Sequence, residues 1–277
     1  AYNVETDLKL KTDRLKYFFE ASSVFFPTIL LSLIWNNDDL KLKFGSRNLD
    51  GASSAKKNRF ESPTMGSWNT LFGSLQRFLR NESSRFDDDE LGLSSKLGGV
   101  SSELLKKLLD KRLFHLIDQA RLGRNDRSHW GALGTEEYRD IHERLKQCLS
   151  QFEAIIGYIF ESAPLISPVS GSMSLLQGGT FELTGRKLMG SSESFDREKF
   201  RLQAPLANDE VYLHTQGEKD AVQILPIIFI DEKNVCHFYN RLEKEGVLYV
   251  SYQADLETNS KVRATNELMT EVLAYLH

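Results

Sequence analysis

Over the first 160 residues the apolar positions recur mostly every three or four residues, the spacing of helices that bury one face. Leu15, Phe18, Phe19 and Ala21 lead into the continuous run from Val24 to Trp35, which predicts one long central helix kinked near Pro27. Residues 45–62 (GSRNLDGASSAKKNRFES) have almost nothing to bury and predict a mobile loop. Pro63 opens a second helix with the stripe Trp68, Leu71, Phe72, Leu75, Phe78 and Leu79. Residues 81–102 are polar and Gly-rich, with an acidic patch at 87–90, and read as connection. A third helix from Ser102 carries Leu104, Leu105, Leu108, Leu109, Leu113, Leu116 and Ile117, with Gly123 as its stop. Thr135 is the expected N-cap of a fourth, with Glu136 and Glu137 beside its positive end and Ile141, Leu145, Leu149, Phe152 and Ile156 on its buried face.

After Ala163-Pro164 the pattern changes. TFELTGR, EVYLHT, QILPIIFID, NVCHFYNRL and GVLYVSYQADL are short, rich in β-branched and aromatic residues, and separated by turn residues, which predicts a largely antiparallel sheet. A last helix, Val262 to Leu276, is expected to cover one face of it through Leu268, Val272 and Leu276. The stretch SPVSGSMSLLQGGT, 167–180, resembles a phosphate cradle by composition alone and reads as a flexible linker. The expected fold class is therefore α+β: an all-α bundle over residues 1–162, then a small, mainly antiparallel β domain with a C-terminal helix over 163–277.

Composition narrows the function. A hydrophobic fraction of 40% beside 27% charged residues is that of a globular protein. The net charge of −4 provides no chain-wide basic field for a polyanion, so nucleic-acid contact has to be local. Cys148 and Cys236 are far apart and form no Cys-x-x-Cys pair, which argues against a disulfide framework or a cysteine zinc site and suits a reducing, cytosolic setting. The run Val24 to Trp35 is shorter than the roughly 20 residues of a spanning helix and is expected in the core, with no membrane role. The chain opens on Ala with no basic n-region or cleavage site, so no signal peptide is expected, and the missing Met suggests a piece of a longer protein.

Chemistry-bearing residues crowd into one place, RLGRNDRSHWGALGTEEY, 121–138, between the third and fourth helices. From Glu103 to Arg127 there are seven basic residues (Lys106, Lys107, Lys111, Arg112, Arg121, Arg124, Arg127) against four acidic ones (Glu103, Asp110, Asp118, Asp126), a local positive excess in an acidic chain. A solvated helix face explains such charges as readily as a site does, and Asp126 or Asp118 offers Arg124 an ion-pair partner. His115 is expected beside the apolar side of its helix, and His142 and Glu143 on the surface of the next. His214, Cys236 and His237 fall on strands, where the adjacent pair points to opposite faces and makes a poor shared metal site. Phe238, Tyr239, Tyr249 and Tyr252 suit a β core better than a base-stacking platform.

Arg124, Asn125 and His129, with four residues between Arg and His and a position between the last two helices of an all-α unit, resemble the signature of the HEPN superfamily. The flanking stretches PTMGSW and RNDRSHWGALGTEEY are similar to those of HEPN modules embedded in large bacterial proteins, and the resemblance covers residues 8–162. It implies metal-independent RNA cleavage by attack of the ribose 2′-OH on the adjacent phosphate. Arg124, Asn125 and His129 would be the catalytic residues, Arg121, Arg127 and Lys111 substrate-binding ones, and no cofactor or metal is needed. It further implies a homodimer through the HEPN helices, RNA as partner, and membership of a larger anti-phage, toxin-antitoxin or stress complex. The alternative is a catalytically silent HEPN-like module that dimerises or senses a ligand. One departure stands out: Gly131 and Gly134 precede Thr135, so His129 is expected in a turn rather than at the start of the last helix.

Overall fold

A computed structural model describes residues 7–49, 60–84, 90–125, 134–176, 178–188, 195–208, 210–215, 221–252 and 260–276. The central helix α1 spans Leu8–Trp35, opened by Asp7, whose carboxylate accepts from the Leu10 N–H at 3.0 Å. It continues through Pro27. Ile29, Leu30, Leu31, Leu33 and Ile34 are fully buried. The hydroxyls of Thr12, Ser22, Thr28 and Ser32 donate to carbonyls four residues back, so they lie in the core satisfied. At 28 residues α1 is long and apolar enough to cross a membrane, but 72% of its most apolar window is buried inside the fold, where a core helix belongs.

Around α1 pack α2 (Asp38–Leu49), α3 (Met65–Ser83), α4 (Glu90–Lys96), α5 (Ser102–Leu108), α6 (Lys111–Asn125), α7 (Thr135–Ile156) and the short α8 (Ile159–Ser162). The α3 stripe from Trp68 to Leu79 is buried as its spacing predicts. Four local readings are corrected. Residues 45–49, expected in a loop, belong to α2, and the connection at 81–102 contains α4. The expected helix from Ser102 to Gly123 is two helices, broken at Leu109-Asp110. There the Asp110 carboxylate caps α6 through the Arg112 N–H, while Gln76 and Arg80 of α3 donate to the carbonyls of Leu108, Asp110 and Leu109. The N-cap of α7 is Gly134 rather than Thr135, and the Glu137 carboxylate accepts from its N–H at 2.8 Å.

Among the described residues the β portion forms two antiparallel sheets rather than one. The first, in the order β3-β2-β1-β4-β5, is built from β1 (Leu165–Leu175), β2 (Phe181–Lys187), β3 (Asp196–Leu202), β4 (Tyr212–His214) and β5 (Ala221–Gln223). Its β1 runs through most of the stretch read as a linker: Met173, Ser174 and Leu175 pair with Leu183, Glu182 and Phe181, so the partner strand supplies the order that composition does not. The second sheet has the order β6-β7-β8-β9, from β6 (Ile228–Ile230), β7 (Cys236–Glu243), β8 (Gly246–Val250) and β9 (Ser260–Arg263). It curls until its edges meet, with Lys261 Nζ of β9 2.5 Å from Asp231 Oδ2 beyond β6, and the Arg263 guanidinium 4.4 Å from the centre of the Phe229 ring. Gly246 permits the β8–β9 pairing, since a Cβ there would fall 2.1 Å from the Arg263 carbonyl oxygen.

The final helix α9 is Glu267–Leu276; Val262, expected inside it, belongs to β9. Nor does α9 simply cover a sheet. Its Tyr275 ring lies against Trp35 and Phe44, and the Tyr275 hydroxyl donates to the Lys41 carbonyl, which docks α9 on α1 and α2. One hydrophobic cluster runs from α1 through α3, α6 and α7 into the second sheet and α9.

Candidate functional site

The candidate site is the end of the bundle where three helix termini meet. α3 and α6 run antiparallel, because Arg80 and Gln76 reach the start of α6 while Asn69 reaches Asp118 farther along it. The first turn of α3 is thereby placed beside the last turns of α6: the Arg121 Cδ and one guanidinium nitrogen lie 3.7 and 3.9 Å from where a Cβ on Gly66 would stand. Two stretches far apart in sequence, PTMGSW and RLGRN, thus become neighbours. α7 also packs antiparallel along α6, with Arg112 and His115 of α6 and Gln151 and Ile155 of α7 lining one shallow groove, so its first turn returns to the same end. The α3 N-terminus is closed by a reciprocal pair, Thr64 Oγ accepting from the Ser67 N–H at 3.2 Å and Ser67 Oγ accepting from the Thr64 N–H at 3.3 Å.

A polar clasp joins α3 to α6 at this end. Asp118 Oδ1 accepts from Arg121 Nε at 2.8 Å and from Asn69 Nδ2 at 3.1 Å. The carboxylate fixes the amide's orientation, because turning the Asn69 oxygen toward Asp118 would set two acceptors together. Asn69 Oδ1 is left buried without a partner. Asn69 was not anticipated, yet it carries a sequence signal: like Gln76, it is a polar residue at helical spacing from Met65 and Phe72 on a mainly apolar stripe.

The predicted residues fall unevenly on this geometry. Arg124 and Asn125 are the last two residues of α6. Arg127 and His129, like Asp126, lie outside the described residues. Arg121 is at the site but engaged by Asp118. Lys111 begins α6, about 20 Å along the helix axis from Arg124, and is not brought to the cluster. His115 is exposed, not at the core boundary, with its ring 5.2 Å from that of Phe114. His142 is buried, not on the surface, with Nδ1 3.4 Å from the exposed Glu143.

The β portion holds one further polar cluster that sequence reading did not assemble. Asp231 Oδ1 accepts from the N–H groups of Lys233 and Val235, both at 2.9 Å, and Oδ2 meets Lys261 and His237 Nε2, the latter at 3.1 Å. Burial works to raise the Asp231 pKa, but the hydrogen bonds from Lys261, the Val235 N–H and His237 outweigh it and hold the carboxyl at about 2. Burial lowers the His237 pKa against the pull of Asp231. Facing an acceptor-only carboxylate, Nε2 carries the proton, and Nδ1 is buried with no partner. The ring stacks on Phe229 at 4.8 Å. This group closes the curled sheet and reads as structural.

Burial pushes both thiols up, that of Cys236 to about 12, which removes either cysteine as a ready thiolate nucleophile. Phe238, Tyr239 and Tyr249 are buried, with the tyrosine hydroxyls bonded to the carbonyls of Phe60 and Pro226, so these rings serve the core. Among the described residues no cluster of His, Cys, Asp or Glu is arranged to hold a metal ion. No family model matches the chain, and no curated protein or solved structure matches it.

Proposed function

We propose that the chain acts on RNA through the end of the bundle formed by α3, α6 and α7, as a HEPN-like, metal-independent endoribonuclease that works as a homodimer. The observation that supports this most directly is that Arg124 and Asn125 are the last residues of α6, whose end is braced against the first turn of α3 through Arg121, so that His129 follows in sequence from a braced helix end. In the reaction, the 2′ oxygen forms a bond to the adjacent phosphorus and the bond from phosphorus to the 5′ oxygen breaks, giving a cyclic phosphate and a 5′ hydroxyl. A group titrating near neutrality takes the 2′ proton, a second supplies one to the leaving oxygen, and a guanidinium steadies the pentavalent phosphorane. His129 and Arg124 are suited to these roles. Two chains provide the second acid or base, and Leu122, 45% exposed in the last turns of α6, offers apolar surface for the pairing.

The test is cleavage of single-stranded RNA in EDTA by the full chain and by His129→Ala and Arg124→Ala, together with sedimentation. Activity lost in both variants, by about 100-fold or more, and carried by a dimer supports the reading. Cleavage by a strict monomer, or unchanged in both variants, rejects it. One observation favours a second reading, in which the module binds RNA or another ligand without cutting: the Arg121 guanidinium is already held by Asp118 instead of being available to a phosphate. Salt-sensitive RNA binding with no cleavage by the wild type would select that reading.

A further inference from the structure

The outer strands of the first sheet sort their charges by face. Side chains of directly paired residues stand on the same face of a sheet, and neighbours along one strand alternate between faces. The pairing of Arg186 with Arg197, Thr184 with Lys199 and Glu182 with Arg201 therefore sets four cations, Arg186, Arg197, Lys199 and Arg201, on one face with a single carboxylate, Glu182. The opposite face takes Leu183, Phe200 and Leu202 of the small cluster together with Asp196 and Glu198, the latter 3.2 Å from Lys187 Nζ. In β3 the sorting is plainest: its three bases fall at every second position and its two acids in the alternate ones. At its inner end the basic face packs on the main cluster through Leu165, two residues before Ser167, the partner of Arg186. Farther out it leaves the core, and Arg197, Lys199 and Arg201 are exposed while Arg186 is half-buried. Lys199 meets Glu182 at 2.8 Å, and among the described residues the three arginines form no ion pair.

Charges on β3, the last strand in the order of its sheet, guard that edge against pairing with another chain, and either sign serves that end. Guarding does not require the signs to be sorted. Cations at every second residue of a strand stand about 7 Å apart, close to the step between successive phosphates of an extended polynucleotide. Arginine grips a phosphate through two parallel N–H donors, and three of the four cations are arginines. The described residues among them are Thr184 and Ser174, so this part of the face has no apolar side chain to enter a lipid surface. We propose that this face of β2 and β3 is a second contact surface for single-stranded RNA, one that holds the phosphate backbone without reading the bases. The choice of RNA over another polyanion rests on the RNA-directed function proposed above. The chain as a whole carries a net charge of −4, so the patch stands against an acidic background that steers a polyanion toward it.

The experiment measures binding of the full chain to 2′-O-methyl single strands, which attack by a 2′ hydroxyl cannot cut, by fluorescence anisotropy over a range of salt, beside cleavage of unmodified RNA of the same sequence. The variants are Arg197→Ala, Lys199→Ala and Arg201→Ala combined, and Arg186→Ala alone, with Lys187→Ala on the opposite face as control. Each phosphate contact removed from a single strand lowers the slope of log affinity against log salt by about 0.7. The triple variant is therefore expected to lower the slope by about 2 and to bind at least about tenfold more weakly at low salt, equally for uridine and adenosine strands, and Arg186→Ala to lower it by about 0.7. Lys187→Ala is expected to bind as the wild type does. Should the triple variant unfold the edge, Arg197→Ala and Arg201→Ala singly, each removing one contact, still decide. Strands bound with the same slope by every variant, or a loss confined to one base, would overturn the surface and leave the RNA-directed function standing. Binding lost in the triple variant, with no cleavage by the wild type, would keep the surface and reject the nuclease. Failure of the wild type to bind the strands, whether or not polyglutamate or phosphatidylserine vesicles bind instead, would overturn the surface, and cleavage of the unmodified RNA would tell whether the function falls with it.

Discussion

The two sheets have the same antiparallel construction but different support. In the second, Ile228, Phe229, Ile230, Phe238, Tyr239, Val247 and Tyr249 belong to the cluster that also contains the central helix. The first sheet divides its loyalties. Leu165 and Leu213, paired across β1 and β4, join the main cluster, while the next pair, Ile166 and Tyr212, turns the other way into a small cluster with Leu183, Phe200 and Leu202. Polar staples follow the same division. Ser32 Oγ accepts from the Leu225 N–H and Asn36 donates to the Gln223 carbonyl at the β5 end, whereas the described bonds of β2 and β3 are largely to each other and to β1. Strand pairing alone therefore does not set how tightly a sheet is held; the depth of the cluster beneath it does.

A matched pair of substitutions probes this difference most strongly. Phe238 is 8% exposed in the second sheet and Phe200 7% exposed in the first, so equal truncations remove equally buried rings. Phe238→Ala is expected to cost about 3–5 kcal/mol and to lower the main unfolding transition. Phe200→Ala is expected to cost less there, and to show instead as faster amide exchange confined to β1–β3, the behaviour of a locally opening unit. Equal losses of global stability, by chemical denaturation, would show that the small cluster folds as part of the large one.

Acid should separate the sheets by a smaller amount. The Asp231 carboxyl is depressed to about 2 from an ordinary 3.8, which corresponds to roughly 2 kcal/mol in favour of the folded state at neutral pH. That contribution is complete above the unfolded value and is lost as pH falls from about 4 toward 2. The His237 pKa is also lowered, so the unfolded chain takes up the proton first and stability begins to fall below about 6.5. Lys261 and Arg263 add positive charge on the same side, and Asp231 opposes them. Melting curves at pH 7.5, 5.5 and 3.5 should thus show the second sheet weakening in steps, with His237→Gln removing the first and Asp231→Asn the second at some cost in stability. An acid profile unchanged by both variants would leave this cluster without its proposed energetic role.

How far the chain could be read from its sequence depends on where the stabilising partner lies. α1, α3 and α7 bury long stripes, and their spacing alone reveals them. α2 and α4 have short apolar content and are held from outside: Asn37 caps α2 and donates to the Lys96 carbonyl at the end of α4. β1 is harder still, because Pro168, Ser170, Gly171 and Ser172 carry no strand signal and the order comes from pairing with β2 and β4. The break between α5 and α6 is written partly in α3, through Gln76 and Arg80. At the candidate site the cluster of basic residues was legible, but the Asn69–Asp118–Arg121 clasp joins residues about 50 positions apart, and a linear pattern does not disclose such a meeting.

The smallest effect should come from the outer edge of the first sheet. Lys199 on β3 reaches diagonally to Glu182 on β2, with Nζ and Oε1 2.8 Å apart, and this hydrogen bond lowers the Glu182 pKa. The Lys199 side chain is open to water, where salt screens such a pair and ordering two long side chains offsets much of the attraction. Cross-strand charge pairs of this kind stabilise a sheet appreciably only where they are buried, and this pair is not. Lys199→Ala should therefore leave the melting temperature almost unchanged and raise amide exchange in β2 and β3 only slightly, with the difference vanishing in 0.5 M salt. A large loss of stability would mean that the charged edge, and not the small cluster of Leu183, Phe200 and Leu202, holds the outer strands. A null result in the same strands that Phe200→Ala loosens would assign their support to apolar contact.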